Sequence, residues 1–475
     1  MNINVQIRKS LRALSLLFCS FGIADHAFSQ TTDSVGTGYM PDAAEEYWPA
    51  LKSEGAGKPA DVFSRLGHIP IRNNKGFISL GGSLREVYER FDNYLWGIGP
   101  QDNNGYLLHR ILLHADVHYN KHFRVFGELE SSFQSGRNGG PRPVQDVNKL
   151  ALTELFAEYA IETANQTVLK FRIGEQVLHY GVGSLLDIRD ANVHRSFVGG
   201  KVIIEKENDR LDVFAMELVR TNEGFFDDQI DPSQKIAGAW FTHNYKESWL
   251  RKIDLFYLFT HRSTATFTQG AGKEKRNTIG TGLTFDKNGW SAYTEGDLQL
   301  GKFNGGNITA WKLTQTLGYQ FSGKGVKPNV SLQSAISSGD KNAAGPSLQT
   351  FNPIYPKAIY YGFIDNAGAA NLILVHLRTG IQPCTKVNVT GGYYRFWRKS
   401  LGDGIYGPGG GYFLPASNSE RSVGQMFELL AAYQHNARFR LTAIGTYYQR
   451  GAFLKAIPAT AHDIWYTGLN ATLHF

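Results

Sequence analysis

From Phe77 to the terminal Phe475 the chain alternates, apolar then polar, in segments of roughly ten residues, the length of a membrane-crossing strand. The clearest is "LLHRILLHADVHY". Leu107, Ile111, Leu113, Ala115, Val117 and Tyr119 share one face with His109 as the single polar intruder, and Arg110, His114, Asp116 and His118 share the other. In "KHFRVFGELESSF", Phe123, Val125, Leu129 and Phe133 oppose Arg124, Glu128 and Glu130. In "WSAYTEGDLQLG", Trp290, Ala292, Leu298 and Leu300 oppose Ser291, Tyr293, Glu295, Asp297 and Gln299. The chain ends in the same way, on Leu469, Ala471, Leu473 and Phe475. Period two is the signature of a strand with unlike faces, and no convincing amphipathic helix interrupts it. The pattern predicts an all-β protein whose last residue lies in a sheet.

Alternation also describes a soluble sandwich, so the connections have to decide. Tight links at "YNKH", "ETANQ", "END", "YKES", "DKNG", "SGKGVK", "PCTK" and "NAR" separate successive strand pairs. The intervening links are longer: "DNYLWGIGPQDNNG", "SGRNGGPRPVQDVNK", "YGVGSLLDIRDANVHRSF" and the stretch from Ser338 to Ala370. Short turns at one end and long loops at the other predict an up-and-down antiparallel β-barrel of about 18 strands spanning an outer membrane, with both termini on the periplasmic side. The barrel is expected over residues 76–475. Residues 30–75 lack the alternation and read as a periplasmic N-terminal lead-in.

The N-terminus agrees with that destination. A basic stretch, an apolar run too short to span a bilayer and small residues before Gln30 predict a signal peptide over residues 1–29. Cys19 lies within it, so Cys384 alone remains and no intrachain disulfide is expected. The formal charge is +7, of which the leader's Arg8, Lys9 and Arg12 against Asp25 carry +2. A modestly basic chain without a block of like charges gives no support to a nucleic-acid partner. Aromatics at 13% and 52 glycines suit a large β-protein with aromatic belts.

Cost decides which face the charges take. An Arg or Lys facing lipid at mid-bilayer costs about 2–4 kcal/mol, so charged rows on many strands have to line a wet lumen. The expected inward residues are Arg85, Arg110, His114, Arg124, Lys170, Arg172 and Gln176, with Asp116, Glu128, Glu154 and Glu158 among them. Guanidinium forks match carboxylates, which suggests a pathway for an anionic solute. Cross-strand Arg–carboxylate networks that merely stabilise the barrel explain the same residues equally well. In the segment "YGVGSLLDIRDANVHRSFVGG", Arg189, Asp190, Asn192 and Arg195 crowd a loop too long for a hairpin. Folded into the mouth, it would set a constriction; left outside, its arginines would bind lipopolysaccharide phosphates. The run "GGYYRFWRKS" offers rings for stacking on sugars or for an interface belt. No nucleophile motif and no metal-ligand spacing stands out, so neither catalytic chemistry nor a cofactor is expected.

Several stretches together resemble the alginate export family. They are "EEYWPALK", "SRLGHIPI", "ISLGGSLREVYERFDN", "LLHRILLHADVHY", "LKFRIGEQVLHYG", "DIRDANVHRSF", "SSGDKNAAGP", "TFNPIYPKAIYYGFIDNAG", "FWRKSLGDGIYG" and "YYQRGAFLK". The resemblance runs in order over nearly all of the mature chain. It implies an outer-membrane barrel, eighteen-stranded in the alginate exporter itself, with an arginine-rich lumen that passes an anionic uronate polymer. Arg110, Arg172, Arg189, Asp190, Asn192 and Arg195 match the family's barrel and loop pattern. Glu175 departs from it, standing where the family commonly has a basic residue; by parity it shares the row of Phe171 and Ile173. The implied partners are an anionic polysaccharide or sugar acid, outer-membrane lipid and lipopolysaccharide, the barrel-assembly machinery that reads a terminal aromatic, and a periplasmic polysaccharide-synthesis complex. Two rival readings remain at this point: a porin for small anions or sugar acids, and a plugged structural or adhesive barrel.

Overall fold

The computed structural model describes residues 39–40, 42–46, 66–71, 75–189, 191–323, 325–357, 359–364 and 366–475. The expected signal peptide and Asp190 lie outside the described residues.

Eighteen strands form one antiparallel barrel. They are β1 (Gly76–Asp92), β2 (Tyr106–Tyr119), β3 (Phe123–Ser135), β4 (Asn148–Glu162), β5 (Val168–Gln176) and β6 (Phe197–Lys206). Next come β7 (Asp209–Arg220), β8 (Gln229–Asn244), β9 (Leu250–Phe267), β10 (Gly270–Lys287), β11 (Trp290–Phe303) and β12 (Gly306–Gln320). The last six are β13 (Asn329–Ser337), β14 (Leu372–Cys384), β15 (Val387–Arg398), β16 (Ser422–Gln434), β17 (Phe439–Arg450) and β18 (Ile464–His474). Each pairs with its sequence neighbours, and β1 pairs with β18 from Ser83↔His474 to Asp92↔Trp465, which closes the ring. A short strand, Ile69–Ile71, adds to the periplasmic start of β1. Closure leaves no edge of the barrel wall unpaired, the condition for a sheet to sit in hydrocarbon.

Burial is inverted relative to a soluble protein. The exposed face carries Leu84, Ile111, Leu113, Ile173, Leu313 and Leu429, whereas Arg85, Arg110, Glu128, Glu154 and Arg172 are buried. Only a lipid-facing exterior makes that distribution stable. Aromatic girdles bound the apolar band. Near the short turns stand Phe123 against Tyr159, Trp249 against Phe285 and Trp290 against Tyr319, with ring centroids 4.7–4.8 Å apart. Near the long loops stand Tyr447 against Trp465 at 4.4 Å and Tyr393 against Phe427 at 5.1 Å. The polar intruder His109 is the direct register partner of Glu86 and bonds it at 2.6 Å, so the two meet on the outer surface as a pair.

The turn rhythm holds with one correction. The links at 268–269 and 304–305 lie on the long-loop side yet span two residues each. There the strands themselves lengthen: β9 and β10 run 18 residues each, well beyond what the hydrocarbon requires.

The terminal residue behaves as its alternation demands. Gly82 N donates to the Phe475 carbonyl at 2.8 Å and Phe475 N donates to the Gly82 carbonyl at 3.0 Å, which extends the closing seam by one residue pair. A Cβ on Gly82 would stand 3.1 Å from the Phe475 ring, so the glycine is the floor on which that ring rests.

Two outcomes follow. Phe475→Lys should sharply reduce the heat-modifiable outer-membrane form and leave periplasmic aggregate, read by fractionation and gel shift; normal outer-membrane levels would contradict the terminal seam. Labels at Arg110 and His114 should be reached by water-soluble quenchers, and labels at Ile111 and Leu113 by lipid-soluble ones. The reverse would mean a register slipped by one residue.

Candidate functional site

Two loops fold back into the barrel and meet there. Residues 177–196, between β5 and β6, and residues 338–371, between β13 and β14, join by main-chain bonds. Tyr355 N donates to Leu185 O, Asp187 N to Tyr355 O and Lys357 N to Gly183 O, each at 2.9 Å. The side chains of Leu185, Leu186, Phe351 and Ile354 are almost wholly buried between them. An apolar clasp thus crosses a polar tube. Backbone groups inside a barrel have lost water and need partners, and each loop supplies them to the other.

Charged strand residues hold the clasp in place. On one side Arg85 and Arg110, direct partners across β1 and β2, both donate to the Ala191 carbonyl, at 2.9 and 3.0 Å. Arg110 also lies 2.8 Å from His194 Nε2. Asn192 reaches the carbonyls of His109, Phe133 and Asp146 at 3.1, 3.3 and 2.9 Å. On the other side Lys312 Nζ sits 2.6 Å from Glu295 and 3.0 Å from Asp297 and donates to Ser184 Oγ at 3.1 Å. Arg276 is fully buried, ion-paired with Glu274 at 2.6 Å and bonded to the Thr350 carbonyl at 3.2 Å. Gln299 and Asn352 exchange bonds of 2.8 and 2.9 Å.

The expected site residues fall into three groups. Arg85, Arg110, Asn192 and Arg189 grip the loop; Arg189 donates to the carbonyls of Val193 and His194, both at 3.2 Å. Arg124, Lys170 and Arg172 stand on the wall nearer the periplasm, each beside a carboxylate: Asp116 at 2.8 Å, Glu205 at 2.7 Å and Glu158 at 2.8 Å. Arg195 stands apart, its guanidinium 5.0 Å above the Tyr355 ring, with Arg262 at 5.5 Å from the same ring. Burial, then the neighbouring Arg195, pushes the Arg189 guanidinium below its ordinary value, and burial does the same to Arg195; both remain charged at neutral pH. The loop is interior, with Asn192 1% and Val193 2% exposed, so its arginines do not face lipopolysaccharide. Glu175 sits on the outer row as parity requires, half-buried, and accepts a bond of 2.6 Å from Ser196 at the loop's root.

Arg189, Arg195, Lys201, Arg262 and Lys357 make no ion pair among the described residues. Lys201, Arg262 and Lys357 are absent from the sequence-based set. Lys201 and Arg262 lie on period-two rows like the others and could have been found by extending the parity count. Lys357 is carried in by its loop and has no such signal. A cavity of about 60 Å³ beside the clasp is lined by Arg110, His114, Glu128, Asp187, His194 and Lys357. A wider one of about 350 Å³ opens toward the periplasm between Arg124, Lys170, Arg172 and Arg210.

Gly183 tests the clasp. Its φ of +73° favours glycine, and a Cβ there would stand 2.7 Å from Asp187 Oδ2. Gly183→Val should break the Lys357 bond, widen the constriction and raise single-channel conductance while the barrel stays heat-modifiable. Unchanged conductance would show that the clasp does not limit flow.

Comparison with known proteins bears on this geometry. Searched against curated proteins, the chain matches none. Its fold is similar to Pseudomonas aeruginosa OpdK solved with vanillate, at 10% identity and a TM-score of 0.54, over 84% of this chain and 98% of that one. P. aeruginosa OccD3 (OpdP) is similar at 15% identity and 0.54, over 88% and 95%, and Acinetobacter baumannii OccAB1 at 12% and 0.54, over 83% and 96%. Such likeness establishes the shared fold, a closed antiparallel β-barrel. The family model for alginate export matches residues 77–467, most of the chain, and the protein belongs to the alginate export family of outer-membrane channels.

Proposed function

We propose that this channel passes carboxylate-bearing saccharides, an alginate-like uronate polymer first among them, across the outer membrane. The observation that carries the reading is the set of interior cations that make no ion pair among the described residues, Arg189, Arg195, Arg262, Lys201 and Lys357. Several interior carboxylates, Glu158, Asp116, Glu274 and Glu295, are by contrast already spent on other cations. A passing carboxylate therefore meets sites that attract it at several depths. About 4 Å from one guanidinium it gains roughly 1 kcal/mol in water-like surroundings and about 4 at an effective dielectric near 20. One site at the upper value would trap a polymer bearing a carboxylate on every sugar; several of intermediate strength hand it along. Arg85, Arg110, Arg124, Lys170 and Arg172 add to the field, and Asn192 belongs to the loop of the proposed pathway.

A second reading is a porin for single sugar acids. It is favoured by the clasp, which crosses the interior and borders a cavity of about 60 Å³ that residues upstream of the barrel also line. The structurally similar OpdK, whose crystal structure holds the small carboxylate vanillate, is consistent with this alternative.

Planar-bilayer recording separates the two. Arg195→Gln with Arg262→Gln should lower anion preference, read as reversal potential in a salt gradient. Each substitution should weaken block by short oligouronates about fivefold, the equivalent of roughly 1 kcal/mol. Block that grows with oligomer length supports polymer passage, whereas equal response to monomer and oligomer supports the small-acid porin. Unchanged selectivity and block in the double variant would remove these arginines from the pathway.

A further inference from the structure

The lumen wall is not the only occupant of the lumen near the periplasm. A stretch upstream of the barrel, Tyr39–Met40 and Asp42–Glu46, lies inside it. Tyr39, Ala44 and Glu46 are 7%, 3% and 8% exposed. Ala43–Glu45 form one tight turn, capped where Ala44 N donates to Asp42 Oδ1 at 2.8 Å. Ala44 packs on Phe126 and Phe156 of β3 and β4, and its carbonyl accepts from Arg124 Nη2 at 2.6 Å. Tyr39 stacks on His474 of β18 at 4.6 Å and its hydroxyl accepts from Arg438 at 3.3 Å. Tyr39–Met40 and Asp42–Glu46 thus reach from the closing seam to β7.

Glu45 is the link that matters. Its two oxygens stand 3.1 Å from Arg210 and 3.8 Å from Arg172. Both arginines already have carboxylates on the wall, Asp212 at 2.8 Å and Glu158 at 2.8 Å, and Lys201 nearby has none. Glu205 stands 3.7 Å from Arg210 and is shared with Lys170 at 2.7 Å, so the wall here sets four cations, Lys170, Arg172, Lys201 and Arg210, against three acids, Glu158, Glu205 and Asp212, and Glu45 brings a further carboxylate from outside the barrel. Burial works against the Glu45 carboxylate, yet Arg210 and Arg172 override it and hold the carboxyl well below its ordinary value.

We infer that Arg172, Lys201 and Arg210 form a carboxylate-binding site in the periplasmic half of the pore, that Glu45 occupies it as a ligand carried on the same chain, and that an incoming uronate competes for it and releases the segment. This rests on the reading of the pore as a uronate channel. The segment is closed by the same chemistry the solute offers, so neutral solutes have no means of opening it. A ligand shifts such an equilibrium only by its differential affinity for the two states. A polymer with a carboxylate on every sugar has the advantage of repeated attempts over a monomer.

The test uses the full-length protein with Cys19 and Cys384 replaced by Ser and a nitroxide at Met40→Cys, a half-exposed position that tolerates a label. The label should be immobilised without ligand, released by trigalacturonate and indifferent to maltotriose. In Glu45→Gln it should be mobile from the start, with a several-fold higher unitary conductance in KCl and stronger anion preference. Arg210→Gln should mobilise it too. An immobile label and unchanged conductance in Glu45→Gln would overturn the proposal, because the segment would then be held by packing alone. If trigalacturonate blocks the pore but leaves the label immobile, competition is refuted while the channel reading stands. If it neither blocks nor permeates, although Glu45→Gln raises KCl conductance, the uronate reading itself fails and takes the competition with it.

Discussion

Everything in this molecule follows from one requirement: a peptide group placed in hydrocarbon must find its hydrogen-bond partner within the protein. A sheet meets that requirement only when it closes, and here the seam between β1 and β18 performs the closure, continued by the reciprocal bonds of Gly82 and Phe475. Once the ring is shut, every second side chain is committed to lipid and every other one to the interior. Charges have only the interior to go to. The polar lumen is thus a by-product of closure before it is an adaptation to any solute.

A tube of eighteen strands is wide, and a wide tube lined with charge would leak. The interior is narrowed by chain taken from two sources, the long outer loops and the segment upstream of β1. Both are fastened in the same manner. Strand guanidiniums donate to loop carbonyls, as Arg85 and Arg110 do to Ala191 and Arg124 does to Ala44. Several lumen arginines therefore have a structural duty that competes with any role in transport. Those that lack it, Arg195 above all, are the better candidates for meeting a solute.

The strand wall was largely legible from the sequence because its physics is local. Alternation at Arg110, Ile111, Leu113 and His114 assigns each residue to a face with no knowledge of the rest of the chain. The loops were legible only in part. Crowded Arg189, Asn192 and Arg195 marked the segment as either a constriction in the mouth or an outer loop on lipopolysaccharide, but nothing in those residues chooses between the two or names Tyr355 as the partner, since main-chain pairing between distant loops leaves no side-chain signature. The upstream segment was less legible still. "DAAEE", Asp42–Glu46, has neither strand period nor helix length, and its place is set by Arg172 and Arg210, more than a hundred residues away. The two short outer turns were missed for the opposite reason: alternation does not say where a strand leaves the bilayer.

The clasp between residues 177–196 and 338–371 is fastened through the peptide backbone, which is common to all residue types. Beyond Gly183, the buried apolar side chains and the strand charges that grip it, its shape is thereby insulated from the rest of the sequence that carries it. Side chains such as Lys357 can be exchanged for acidic, neutral or aromatic ones without undoing the bonds that narrow the tube. Descendants of one ancestral barrel can then diverge in what they admit while keeping how tightly they close, and new solute preferences become reachable by single substitutions without an interval of leakiness.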